Sequence, residues 1–168
     1  MTEHALVSNV SDASFAIGVA YARSQAIDIS DLISLKTFVN TEFCPRFLLD
    51  HTTEENLGDG LGGKSVYILS THSQHHSRNE LAMRNCLIAS AAKENGAGFV
   101  ALVEPDLFFS AQDRGPRTTN HPQATDFRSR EKFVGQPCSA ELYARMLKTA
   151  GVDLVMTVHN HKPEVMSR

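Results

Sequence analysis

Five of the eight histidines crowd into two places: His72, His75 and His76 in the stretch STHSQHHSRN, and His159 and His161 near the C-terminus. Residues at i and i+2 on a strand share one face, so His159 and His161 have the spacing of two imidazoles that can hold one metal ion or one phosphate. His75 and His76 are adjacent and do not readily face a single ion, which favours a solvated loop for HSQHH. A second chemical centre is Asp113–Arg114. It reads either as an ordinary surface ion pair, worth little energetically, or as part of a site placed after a buried strand. Arg117, Arg128, Arg130 and Lys132 follow in a polar stretch and offer a phosphate clamp or simply a charged, solvated loop.

These groups need a scaffold. ALVSNV (5–10) reads as a short strand, and Ser11 or Asp12 caps a helix whose apolar positions Phe15, Ile17, Val19, Ala20 and Ala22 run to about Gln25. SLKTFVN (34–40) alternates with a period of two. EFCPRFLLD (42–50) is its antiparallel partner, kept to an edge by Pro45. ENLGDGLGGK (55–64) is a loop whose glycines do not follow the GxxxxGK[ST] phosphate-loop spacing. SVYILST (65–71) is a continuous apolar run of the kind buried on both faces of a parallel sheet.

A helix over 80–95 comes next, with Leu81, Cys86 or Asn85, Leu87 or Ile88 and Ala91 or Ala92 facing inward and Gly96 as its terminator. GFVALVEP (98–105) is a further strand, and a long polar loop covers 106–136. Ser139 caps a helix over 140–150, Gly151 closes it, and VDLVMTVHNH (152–161) is the last strand. This order predicts a single α/β domain over 1–168: a three-layer sandwich with a mostly parallel sheet and helices on both faces. In such sheets ligands bind beyond the carboxyl ends of the strands, where THSQHHSRN, EPDLFFSAQDRGPR and TVHNHKPE all emerge.

Composition narrows the classes of function. Sixteen Lys and Arg against 19 Asp and Glu give a formal charge of −3, without the basic field a nucleic-acid binder shows. No apolar run approaches the ~18 residues of a membrane span, and the N-terminus lacks the basic start and apolar core of a secretory leader. Three widely spaced cysteines, Cys44, Cys86 and Cys138, read as reduced packing residues in a cytoplasmic protein.

Three segments in order carry a resemblance: GGKSVYILSTHSQHHSRNELAM, VALVEPDLFFSAQDRGPR and QPCSAELYARMLKTAGVDLVMTVHNH. Together they resemble the N-terminal half of ribose-phosphate pyrophosphokinase, also called phosphoribosyl pyrophosphate synthetase. The resemblance implies a phosphoribosyltransferase-like fold and transfer of pyrophosphate from Mg-ATP to the 1-hydroxyl of ribose 5-phosphate. Gln112, Asp113 and Arg114 match the family's ATP-contacting Gln-Asp-Arg. Phe43 matches the start of its adenine-reading segment, and His161, with His159 beside it, matches the position near the ATP phosphates and Mg²⁺.

The family's C-terminal domain, with the phosphoribosyl-binding and basic catalytic loops, would follow Arg168, so the chain reads either as a fragment of a longer protein or as a stand-alone N-terminal module, and no catalytic residue is assigned to this half. The resemblance also implies a homo-oligomer with ATP and ribose 5-phosphate as ligands. The apolar residues Phe43, Phe47, Leu48 and Leu49, with Phe108 and Phe109, are its expected exposed contact patch.

Departures from the pattern keep two other readings open. Ala111 stands where the family has arginine, Pro45 and Phe47 where it has adenine-reading residues, and His159 where it has aspartate. A non-catalytic regulatory or associated subunit would tolerate these changes. A metal-dependent hydrolase would be built on His159, His161 and Asp113.

Overall fold

A computed structural model describes residues 4–10, 32–49, 53–115 and 127–159. Its strands are β1 (His4–Ser8), β2 (Ile33–Thr37), β3 (Phe43–Phe47), β4 (Ser65–Leu69), β5 (Phe99–Val103) and β6 (Leu154–Met156). The helices are α1 (Arg78–Glu94), α2 (Phe127–Glu131) and α3 (Ser139–Thr149). β1, β4, β5 and β6 form one sheet in the order β1-β4-β5-β6, every neighbouring pair parallel, while β2 and β3 form a separate antiparallel pair. The fold is α/β. The helix expected after Ser11 lies outside the described residues.

The continuous apolar strands behave as their composition requires. Val7, Val66, Ile68, Val100 and Leu102 are completely buried, each contributing about 1.5–3 kcal/mol of transfer free energy. α1 packs against β4 and β5, against β3 of the hairpin, and against α3. It therefore buries a wide band, which decides the alternatives left by its periodicity: Asn85 and Cys86 are both inside, as are Ile88 and Ala92, whereas Leu87 is at the surface.

The helix begins two residues before the expected start, because the Ser77 hydroxyl accepts the Glu80 N–H. At α3 the reading is corrected. Ser139 is the first helical residue, and the cap position is Cys138, which makes no side-chain cap hydrogen bond.

The expected exposed patch is also corrected. Phe47 and Phe108 are core residues, 7% and 2% exposed, because the hairpin lays Phe47 inward and Phe108 stacks near Tyr143. Only Leu48 of that set is fully at the surface. Within the long loop 106–136, Leu107, Ser110 and Asp113 are buried as well, and α2 occupies part of its second half.

Gly96 terminates α1 with φ +88°, and a Cβ there would collide with the Asp59 carboxylate. Gly96→Ala is expected to destabilise the chain by about 1–3 kcal/mol. Urea denaturation would measure this, and an unchanged midpoint would contradict it.

Candidate functional site

Beyond the carboxyl end of β5 the chain turns through Leu107–Ser110 and lines a cleft of about 500 Å³. Its walls are Ala111, Gln112, Asp113 and Arg114 on one side and Phe133, Gln136 and Pro137 on the other. The second wall comes from the turn after α2 and the approach to α3, and the two are tied where the Ala140 N–H donates to the Gln112 carbonyl at 3.1 Å. Asp113 is not the surface residue its sequence context allowed: its side chain is 1% exposed, with Oδ1 3.7 Å from the Arg114 Nε. Arg114 also sits 5.9 Å from the Phe133 ring centroid, within cation–π range. The cleft thus offers a half-buried cation, two carboxamides and an aromatic ring, a set suited to an anion attached to a planar group.

The remaining expected residues are dispersed. Phe43, on β3, does not line the cleft; its ring lies 4.3 Å from the guanidinium of Arg84, itself 4% exposed. Arg84 in turn donates to the Asn9 carbonyl and to Glu80. His159 stands at the end of β6 with Nδ1 3.7 Å from an Asp106 oxygen, and Asp106 also pairs with Arg78. His161 and Arg117 lie outside the described residues. His72 and His75 are exposed, His76 is partly buried against Glu80, and Ser73 between them is buried with its hydroxyl accepting the His75 N–H, so the HSQHH stretch is only partly the solvated loop its adjacent histidines suggested. Among the described residues no three His, Cys, Asp or Glu side chains gather to hold a metal ion. A Mg²⁺ ion that arrives already bound to nucleotide phosphates and keeps several waters needs no such cage.

Under the cleft runs a polar network that the sequence reading missed. Asn9, Ser70, Asn85, Glu104 and Tyr143 are all essentially inaccessible to solvent. The Asn9 amide donates to Ser70 and to the Asn85 carbonyl oxygen; the Asn85 amide donates to Ser70, Glu104 and Tyr143; Ser70 donates to Glu104 at 2.8 Å. Burial pushes the Glu104 carboxyl above its ordinary range, partly offset by these donors and the Phe108 N–H. Burial likewise pushes the Cys86 thiol up to about 11, with Glu104 adding to the effect, and raises Tyr143 beyond its usual range. The one sequence signal was an acid inside the apolar run VALVEP. Phe133 and Gln136 carried none.

The chain is 30% identical over 107 residues to a ribose-phosphate pyrophosphokinase of Chromobacterium violaceum, covering 64% of this chain and 28% of that protein. It is 24% identical over 113 residues to ribose-phosphate pyrophosphokinase 2 of Saccharomyces cerevisiae, covering 67% and 30%. Over part of its length the chain is similar to ribose-phosphate pyrophosphokinases.

The fold itself has a counterpart among solved structures. The fold matches the crystal structure of phosphoribosylpyrophosphate synthetase from Mycobacterium smegmatis with a TM-score of 0.69 at 21% identity, over 98% of this chain and 45% of that one. No family model matches the chain. The match to the curated ribose-phosphate pyrophosphokinases spans less than a third of their length. No described helix is long and apolar enough to cross a membrane.

Proposed function

We propose that this chain is the N-terminal, ATP-side domain of a divergent ribose-phosphate pyrophosphokinase, and that the cleft at Gln112–Arg114 receives the polyphosphate of Mg-ATP. The observation that carries this reading is that Gln112, Asp113 and Arg114, the residues the resemblance assigns to ATP, are together walls of one cleft. Arg114 neutralises phosphate charge, and Gln112 supplies a neutral donor. Phosphoryl transfers are accelerated largely by such positioning and charge neutralisation. Mg²⁺ enters on the nucleotide, with His159 and His161 at the strand end as candidate phosphate or metal contacts. The complete enzyme would pass the pyrophosphoryl group to the 1-hydroxyl of ribose 5-phosphate and release AMP, as a cytoplasmic homo-oligomer.

A second reading, a non-catalytic associated subunit, is favoured by one observation. Ala111 is an exposed cleft residue that offers a methyl group where the family has a cation.

Calorimetric titration of the 168-residue chain with Mg-ATP is expected to show saturable one-site binding. Absence of heat up to millimolar nucleotide would remove the ATP-side assignment. The same preparation, given Mg-ATP and ribose 5-phosphate, is expected to form no AMP, because the resemblance assigns the sugar-phosphate site to the family's other domain. Turnover dependent on ribose 5-phosphate would overturn that division of labour.

A further inference from the structure

Glu104 divides its two oxygens between the core and the cleft. Oε1 accepts from Ser70 at the end of β4, from Asn85 on α1 at 2.9 Å and from Tyr143 on α3 at 3.3 Å. Oε2 accepts the backbone N–H of Phe108, four residues on, at 3.0 Å. Immediately after that contact Phe109 adopts φ +61°, left-handed backbone that an aromatic residue holds only when its surroundings enforce it. Its ring packs edge-on to Tyr143 at 5.4 Å, the residue whose hydroxyl also reaches Glu104. The turn continues with Ser110 N–H to the Leu107 carbonyl and Gln112 N–H to the Phe109 carbonyl at 2.8 Å, and then becomes the cleft wall.

We propose that Glu104 is the positioning residue of the cleft: one oxygen holds the Leu107–Ser110 turn with Phe109 left-handed, while the other fastens the same carboxyl to α1 and α3. The direction in which Gln112, Asp113 and Arg114 face the cleft is therefore set by a side chain that never touches the ligand. A carboxylate suits the task because both its oxygens accept. Glutamine offers one acceptor and turns an N–H₂ either on the Phe108 N–H or on the donors of the core. The ligand-binding part of the proposal rests on the reading of the cleft as a polyphosphate site; the positioning part does not.

Native-state amide exchange on the full chain, compared with Glu104→Gln, tests it. The Phe108, Ser110 and Gln112 amides are expected to exchange about tenfold faster than any change at the Leu102 and Ile88 amides accounts for. Mg-ATP affinity is expected to fall about tenfold alongside, as for the loss of one buried hydrogen bond. Turn and core amides changing in step would overturn the proposal, since a merely structural residue moves both together. If Glu104→Gln does not fold, the wild-type chain decides: a through-hydrogen-bond coupling between the Phe108 amide nitrogen and the Glu104 carboxyl carbon is expected, and its absence while sheet couplings are visible overturns the proposal. A wild-type chain that binds no Mg-ATP removes the cleft's functional reading, and the exchange result still decides the positioning.

Discussion

Asn85→Leu is expected to lower the stability of the chain by about 3 kcal/mol at neutral pH, roughly two orders of magnitude in the folding equilibrium. Leucine keeps the branched shape but is bulkier in a fully buried position, so lost polar bonds and overpacking both contribute. Asn9 loses an acceptor while Ser70, Glu104 and Tyr143 each lose a donor, all in a region without solvent. The deficit is also expected to depend on pH with a definite sign.

Burial raises the Glu104 pKa, and the Asn85 hydrogen bond is among the groups that pull it back down. A carboxyl whose folded pKa is raised binds more protons when folded. Its contribution is thus complete below the ordinary value of 4.5 and is lost as pH rises through the folded pKa. Removing the Asn85 donor raises that pKa further, so the variant's deficit should shrink as the pH is lowered from 7 towards 5. Cys86 and Tyr143, the other titratable groups around Glu104, are both raised and stay neutral in that window. The Asp153 carboxyl, held low by Lys93, titrates alike in both proteins and cancels from the difference. Urea melts of both proteins at several pH values would measure this, and a deficit that grows towards acid pH would refute the assignment.

Arg114→Glu is expected to weaken Mg-ATP binding about a hundredfold, because it exchanges a charge-assisted donor to phosphate for a repelling carboxylate. The side chain is 38% exposed, so the substitution can be made without emptying the core. Arg114→Lys keeps the charge but loses the planar fork and its stacking on Phe133, and about a tenfold loss is expected there. The two titrations are read against thermal melts of the same preparations. Equal affinity in wild type and Arg114→Glu would exclude this cleft as the nucleotide site.

Local chemistry made a large part of this protein legible in its sequence. The runs SVYIL and FVALV are strands because unbroken apolar stretches of that length fill a sheet covered on both faces, and Gly96 and Gly151 end helices because both adopt a positive φ. Asp113 and Arg114 stand out by their position after a buried strand, whereas Gln112 joins them only through the family resemblance. What periodicity left open, tertiary packing decided. α1 touches sheet, hairpin and α3, so Asn85 and Cys86 are both buried, and the hairpin turns Phe47 inward instead of presenting it to a partner.

The network of Asn9, Ser70, Asn85, Glu104 and Tyr143 could not be read along the chain, since its members are separated by up to 76 positions where they bond directly. They meet because parallel pairing in the order β1-β4-β5 brings three strand ends side by side beneath α1 and α3. Hydrophobic pattern acts between neighbours in sequence and fixes the elements. A buried carboxyl surrounded by donors requires strand ends and helix faces already docked, and that condition exists only once the sheet is assembled.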